Sequence, residues 1–416
     1  LASSARFNLV YRHVGREYLL SFVVAFFFFF FIFFINQILL IAQRILLKQV
    51  DYLSVLQLIL LSVPQFLLYT FPFSCLTASS MSLGDLSGNN EILALRSSGI
   101  SLKHVYRPII VLSILFSVVT FFTADIALPY STKKYRELYT QLMRDLPTLE
   151  LKSNTTNTIG NTVMVNKNVE GNIVSDIILF DTTNSFSGQI LSSPSAEVTL
   201  YDLQSFIYML ELTDPLIMKT QQDGQWALSK AESAQFFLNF SGQIANLASA
   251  LPSQLSVKEL REQIAVHKIA LEEEQQRLNR RIEAKKAEIS AASTESLVSS
   301  EEVLRLQGEL KVLQERRIIN FYYQYYRAEL HKKFALSAAC FMLVFLTFTL
   351  SFFRVKHGRL IGFGLSMLVS VLYWYLLFFS QLQIFKFAFN PAFWIWLPNS
   401  VMFASGLVLL LFARRL

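Results

Sequence analysis

The sequence predicts a membrane protein with six transmembrane α-helices, an external β domain of sandwich or jelly-roll type, and an inserted α-helical coiled-coil hairpin. Three observations carry this expectation. Hydrophobicity is blocky, short alternating strands fill the gap between the third and fourth apolar runs, and a charged heptad-like segment follows them. Hydrophobic residues make up 53% of the 416 positions and charged residues only 16%, whereas soluble domains are nearer a quarter charged.

A hydrocarbon core is crossed by roughly 20 apolar helical residues. Six runs satisfy this, at approximately 18–41, 55–81, 105–128, 334–353, 360–382 and 393–412. The first contains "FVVAFFFFFFIFFI" and has no charged residue after Glu17. It is too long and too aromatic for a signal-peptide core and reads as a retained span. The second carries Pro64 and Pro72, which membrane helices tolerate where neighbours satisfy the freed carbonyls. Pro108 sits near the start of the third, where a missing N–H costs little.

Lysine and arginine in short loops set orientation. One side holds Arg6, Arg12, Arg16, Arg96, Lys103, Arg107, Arg354, Lys356, Arg359, Arg414 and Arg415. The other side's short loops hold Arg44, Lys48 and Lys386. Both termini and the polar island at 82–101 are therefore expected in the cytoplasm, and residues 129–333 outside.

The external segment has two characters. Residues 148–250 alternate in short apolar and polar steps, as in "NTVMVNKNVEGNIVSDIILFDTT", with a turn at 170–172 and a hairpin signal at Asp223 and Gly224. Such spacing suggests a sandwich or jelly roll. From Leu255 the composition turns charged, and Val257, Leu260, Ile264, Leu271 and Leu278 follow heptad-like spacing. "SAASTESLVSS" interrupts it, and Val303, Leu306, Leu310 and Leu313 resume it. The pattern predicts an antiparallel coiled-coil hairpin whose arms of about 34 residues span about 50 Å, the second running straight into the fourth span. It serves either as a spacer or as a partner-binding arm. The expected organisation is 1–128 for three spans with a short helix near 89–99, 129–254 for the β domain, 255–330 for the hairpin and 331–416 for three more spans.

Several chemistries are missing from the sequence. His13, His104, His267, His331 and His357 form no metal-ligand spacing, and neither a GxxxxGK[ST] nor a GxSxG pattern occurs. Neither catalytic nor metal-binding residues are expected. Cys75 and Cys340 lie inside apolar runs and read as core packing. The net charge of +7 falls largely at span ends, which signals topology and not nucleic-acid binding. Asp125, close to the outer end of its span, reads as an interface or packing residue or as a proton relay.

A transporter lacking its own P-loop takes force from a partner. In "GNNEILALRSSGIS", Asn89 or Asn90 can cap a short helix and Gly99 can end it in a left-handed conformation. Ile92, Leu93 and Leu95 offer apolar anchors, and Glu91 and Arg96 offer charged contacts. The alternative is an amphipathic helix lying on the membrane surface.

The segment "LGDLSGNNEILALRSSGIS" resembles the cytoplasmic segment of the LptF/LptG permease family, matching at Leu83, Gly84, Leu86, Ser87, Glu91, Ala94, Leu95, Arg96, Gly99 and Ser101. "LSVKELREQI", "RAELHKKFALSAACFMLVFLTFTLSFF", "HGRLIGFGLSMLVSVLYWYL" and "NPAFWIWLPNSVMFASGLVLLLF" match further stretches in order, the last with Trp396, Pro398, Asn399 and Gly406. The resemblance implies an inner-membrane permease with a periplasmic β-jellyroll-like domain that extracts lipopolysaccharide or a related glycolipid. Its implied partners are a paired LptF/LptG-type permease, an LptB-like ABC ATPase dimer carrying ATP and magnesium, and LptC/LptA-like periplasmic bridge proteins. This chain itself would carry no cofactor. Glu91, Leu95, Arg96 and Gly99 would couple to the ATPase, and the first and fifth spans would form the gate.

Two features depart from the family's pattern. The hairpin is longer than the usual connection. Asn36 and Gln37 stand where the family often places basic residues, and Arg44 and Lys48 come later. The expected lipid path is Phe30, Phe34, Gln37, Arg44 and Lys48. The phenylalanines at 26–34 form either a wall for acyl chains or ordinary lipid-facing surface, and Trp374 and Tyr375 carry the same two readings. The rival functions are a mechanotransmission permease acting on a periplasmic partner and a non-transport membrane scaffold.

Overall fold

A computed structural model describes residues 2–41, 51–145, 151, 153–159, 162–181, 189–202, 207–220, 225–239, 251–294, 300–316, 318–350, 358–384 and 390–413. It divides into two compact units, one comprising Leu1–Phe30, Leu67–Ala127 and Pro252–Leu416, the other Phe31–Phe66 and Leu128–Leu251.

Among the described residues the helices are α1 (Ala2–Ile41), α2 (Tyr52–Gly88), α3 (Glu91–Ser97), α4 (Leu102–Phe122), α5 (Leu128–Asp145), α6 (Val257–Thr294), α7 (Ser300–Glu315), α8 (Phe321–Leu350), α9 (Arg359–Gln383) and α10 (Pro391–Ala413). Among the described residues, six segments are long and apolar enough to cross a membrane: Leu9–Leu40, Tyr52–Gly88, Leu102–Leu142, Phe321–Thr349, Arg359–Gln383 and Pro391–Phe412. Helices are what such long continuous apolar runs favour, because a helix satisfies its whole backbone within one segment in hydrocarbon. The second span outruns its sequence estimate, since α2 continues through Gly84 to Gly88. The polar island therefore begins as the end of a long helix. The third span also continues, through a π-helical turn at Thr123–Ala127 into α5.

Close approach organises the helical unit. Gly362 of α9 sits against α2, where an added methyl would run into the Ser80 carbonyl oxygen and lie 3.2 Å from Met81 Cα. The Ser80 hydroxyl donates to the Gly362 carbonyl at 2.7 Å. A methyl on Gly406 would lie 3.1 Å from the Phe345 ring and 3.3 Å from Leu346 Cα. Buried Asn399 accepts from the Tyr373 hydroxyl at 2.9 Å and donates to the Ala335 carbonyl at 2.7 Å, tying α8, α9 and α10 together. Cys75 and Cys340 are free and buried.

The start of α6 is set by a capping box. Ser256 N–H and Oγ both donate to Glu259 Oε2, at 2.7 and 2.8 Å, while Glu259 N–H returns to Ser256 Oγ at 3.3 Å. Val257 N–H donates to Asp125 Oδ1 at 2.6 Å, so the acid of the third span anchors the helix start. The Lys333 ammonium donates to the Ala124 carbonyl within the π turn. α6 and α7 meet at a 2.8 Å pair between Lys285 and Glu309. The Glu309 carboxylate lies beside the Lys285 ammonium, which raises the lysine's pKa and lowers the glutamate's. His267 of α6 stacks with Tyr322 and Tyr326 of α8 at 5.5 and 5.3 Å. The second arm does not run straight into the fourth span, because α7 stops at Glu315. Asn320 then starts a new helix, accepting Tyr323 N–H on its side chain at 3.0 Å.

The other unit is built on a nine-stranded antiparallel sheet: β1 (Thr155–Ile159), β2 (Thr162–Asn166), β3 (Asn168–Glu170), β4 (Ile173–Asp181), β5 (Gln189–Asp202), β6 (Ile207–Thr213), β7 (Leu216–Thr220), β8 (Trp226–Lys230) and β9 (Ser233–Asn239). The main path runs β1-β2-β4-β5-β6-β9. Long β5 pairs its first half with β7 and its second half with β6, with a register shift between Leu200 and Asp202. The expected turn at 170–172 is present, with Gly171 at φ 58°. Asp223 and Gly224 lie outside the described residues, although β7 and β8 on either side of them pair. Alternation places Tyr208, Leu210 and Leu212 of β6 on the buried face. They pack with Met164, Leu179 and Val198, and with Tyr139 and Leu142 of α5 and Val55 and Leu58 of α2.

Candidate functional site

α3 is short, and its ends are set by backbone conformation. Asn90 precedes it at φ 58° and makes no side-chain cap hydrogen bond. The expected asparagine side-chain cap is not made: Asn90 supplies instead the left-handed turn that asparagine tolerates, and Asn89 Nδ2 reaches back to Asp85 Oδ1 at 3.5 Å. Gly99, at φ 79°, ends the helix as its sequence position predicts. Gly99 N–H donates to Arg96 O and Ile100 N–H to Leu95 O, each at 3.0 Å, which is the Schellman pattern.

The two sides of α3 differ. Ile92 and Leu95 are half-buried and pack with Ile100 and Leu102 on a cluster containing Val10, Val14, Leu83, Leu86 and Val105. Leu93 is 64% exposed, and Arg96 and Ser97 are exposed beside it. Leu95, nominated with Arg96 for one cleft, is thus turned onto the chain's own core. Glu91 is held by His13 of α1, Nε2 to Oε2 at 2.9 Å, and Tyr11 stacks with His104 at 6.3 Å. α3 is therefore braced against both α1 and α4. No local pattern signals the His13–Glu91 pair, whose members stand 78 positions apart.

The phenylalanine run on α1 divides by helix face. Phe22 stacks with Phe116 at 3.9 Å and Phe26 tilts against Phe71 at 5.7 Å, so these rings are bundle packing. Phe27 and Phe31 are about half exposed, at 52% and 51%. Phe30 is half-buried and stacks on Phe26 at 5.8 Å. Phe34 and Gln37 are half-buried, spaced from Phe30 by one and two turns of α1. Arg44 and Lys48 lie outside the described residues. On α9, Trp374 and Tyr375 are both exposed, and Trp374 also meets Tyr69 edge-on at 5.2 Å.

Among the described residues, no group of three or more His, Cys, Asp or Glu side chains could hold a metal ion. No curated protein matches the chain. The family model described as lipopolysaccharide export system permease LptF/LptG matches residues 12–412. With six apolar helices and a separate antiparallel sheet, this multi-pass membrane protein belongs to the LptF/LptG family of lipopolysaccharide export permeases, which are transport subunits and not enzymes.

Proposed function

We propose that the chain is one of two paired permeases of an ABC-type exporter, drawing lipopolysaccharide or a related glycolipid from the inner membrane and passing it to LptC/LptA-like bridge proteins. The termini and α3 face the cytoplasm, where an LptB-like ATPase dimer binds ATP and magnesium, and the sheet unit is a periplasmic jelly roll. The observation that carries this reading is the division of α3: its inner side packs on the permease core while Leu93 and Arg96 face outward. A coupling helix needs both sides, one to receive a push and one to transmit it. Leu93 and Arg96 touch the ATPase, Glu91 and Leu95 tie α3 to the bundle, and Gly99 fixes its end. Phe30, Phe34, Gln37, Arg44 and Lys48 form the lipid path, with aromatic rings for acyl chains and cations for phosphate groups.

The test is lipid-stimulated ATP hydrolysis by the assembled exporter in nanodiscs. Arg96→Glu and Leu93→Glu should each lower it by about tenfold, the loss of one interface anchor, without lowering co-purification of the paired permease. Wild-type stimulation in both variants would refute the coupling assignment. The long α6 with its exposed outer surface favours a second reading, in which a coiled-coil hairpin pulls on a periplasmic partner and no lipid passes between the spans. Photo-crosslinkers at Phe30 and Phe34 separate the two, since only the export reading predicts glycolipid capture above a lipid-facing control.

A further inference from the structure

A groove of about 820 Å³ lies between α1 and α4 within the helical unit, inside the roughly 300–1,000 Å³ range of ligand cavities. Its two ends differ in chemistry. Arg12 and Arg16 of α1 and Arg107 of α4 line one end, and Leu20, Val23 and Val111 line the stretch beyond. The spacing explains the segregation, because residues three and four apart share a helix face. Arg12, Arg16, Leu20 and Val23 form one stripe on α1, and Arg107 and Val111 form another on α4. Gly15 marks where the helices meet: a methyl there would make ordinary contact with Pro108 Cβ at 3.9 Å. Among the described residues, none of the three arginines is paired with a carboxylate.

We infer that this groove holds one anionic glycerophospholipid, its phosphate between the three arginines and its acyl chain along the apolar stretch. A soluble anion would satisfy the arginines and leave the exposed apolar wall uncovered. A neutral lipid would do the reverse. An anionic amphiphile matches both ends, and guanidinium groups bind phosphate by charge-assisted, often bidentate hydrogen bonds. Basic pockets between membrane helices are suited to such headgroups. In the orientation proposed above, the arginine end lies at the cytoplasmic leaflet, so the occupant is a resident phospholipid and not the exported glycolipid. The site stands apart from α3's outward side, and its test does not depend on ATPase coupling.

The experiment is native mass spectrometry of the assembled exporter, titrated with phosphatidylglycerol, phosphatidylethanolamine, glycerophosphoglycerol or lipopolysaccharide. Phosphatidylglycerol should be retained at least about tenfold more strongly than phosphatidylethanolamine, and the combined Arg12→Gln, Arg16→Gln and Arg107→Gln variant should lose that preference. The matching lysine variant keeps the charge and should retain most of it. Val111→Trp leaves the arginines in place, fills the groove and should also release the lipid. Equal retention in the glutamine variant, or in Val111→Trp, would overturn the proposal. So would equally strong binding of glycerophosphoglycerol, displacement by lipopolysaccharide at matched concentration, or capture of a partner protein instead of lipid by a photo-crosslinker at Val111.

Discussion

The Gly362–Ser80 crossing and the α6–α7 pair hold helices together by opposite means. At the crossing, backbone meets backbone, and a side-chain hydroxyl donates to a main-chain carbonyl in a buried setting. Along α6 and α7 the described contacts include an ion pair between half-buried Lys285 and exposed Glu309, and buried leucines at Leu278 and Leu306. Exposed pairs contribute little, because water competes for both partners. The contrast separates a frame that geometry fixes from an arm that a few side chains steady.

Four substitutions or conditions probe that contrast. The largest effect is expected from Gly362→Val, which forces α2 and α9 apart; overpacking of this kind costs about 3 kcal/mol, read as a lowered Tm of the detergent-solubilised protein. Asn399→Leu should follow, at about 2 kcal/mol, because it leaves the buried Tyr373 hydroxyl without its acceptor. Asp125→Ala should cost about 1 kcal/mol, the scale of a lost helix cap. Its signature is local: faster hydrogen exchange at the first amides of α6, with the frame unchanged. The smallest effect concerns pH. Glu309 is shifted down, so its contribution is present above the ordinary carboxylate pKa and fades as pH falls through the lowered value. Lys285 is shifted up, so its contribution is complete below the ordinary lysine pKa and fades as pH rises through the raised value. Spin-label distances between α6 and α7 should stay constant from about pH 5 to 10 and broaden only outside that window. Broadening near neutrality would show that the ion pair does not steady the arm.

What the sequence made legible follows from the range of each interaction. The six spans were visible because crossing a bilayer requires a continuous apolar run, and Gly99 because its left-handed ending is a local demand. Asn399 and Gly406 stood out only through family resemblance; their packing roles needed neighbours on other helices. Two partnerships were beyond sequence reading. Glu91 meets a histidine 78 positions away, and Asp125 meets an amide 132 positions away. The stop of α7 at Glu315 was hidden because the apolar spacing on both sides looks continuous, while Asn320 starts the next helix locally. On α3, spacing alone placed Leu95 near Arg96, but only the buried cluster decides which bearing faces inward.

The contact at Gly362 has a mechanical consequence for the fifth span. The fourth residue of α9 is held there by backbone contact and a 2.7 Å bond from Ser80, and about three turns further on the Tyr373 hydroxyl is held by Asn399. Sliding along its axis would break the bond and drive larger side chains into the α2 backbone. Rocking about the glycine would pull Tyr373 away from Asn399, so the fifth span resists tilting as well as sliding and moves with its neighbours, a pinned rail and not a lever.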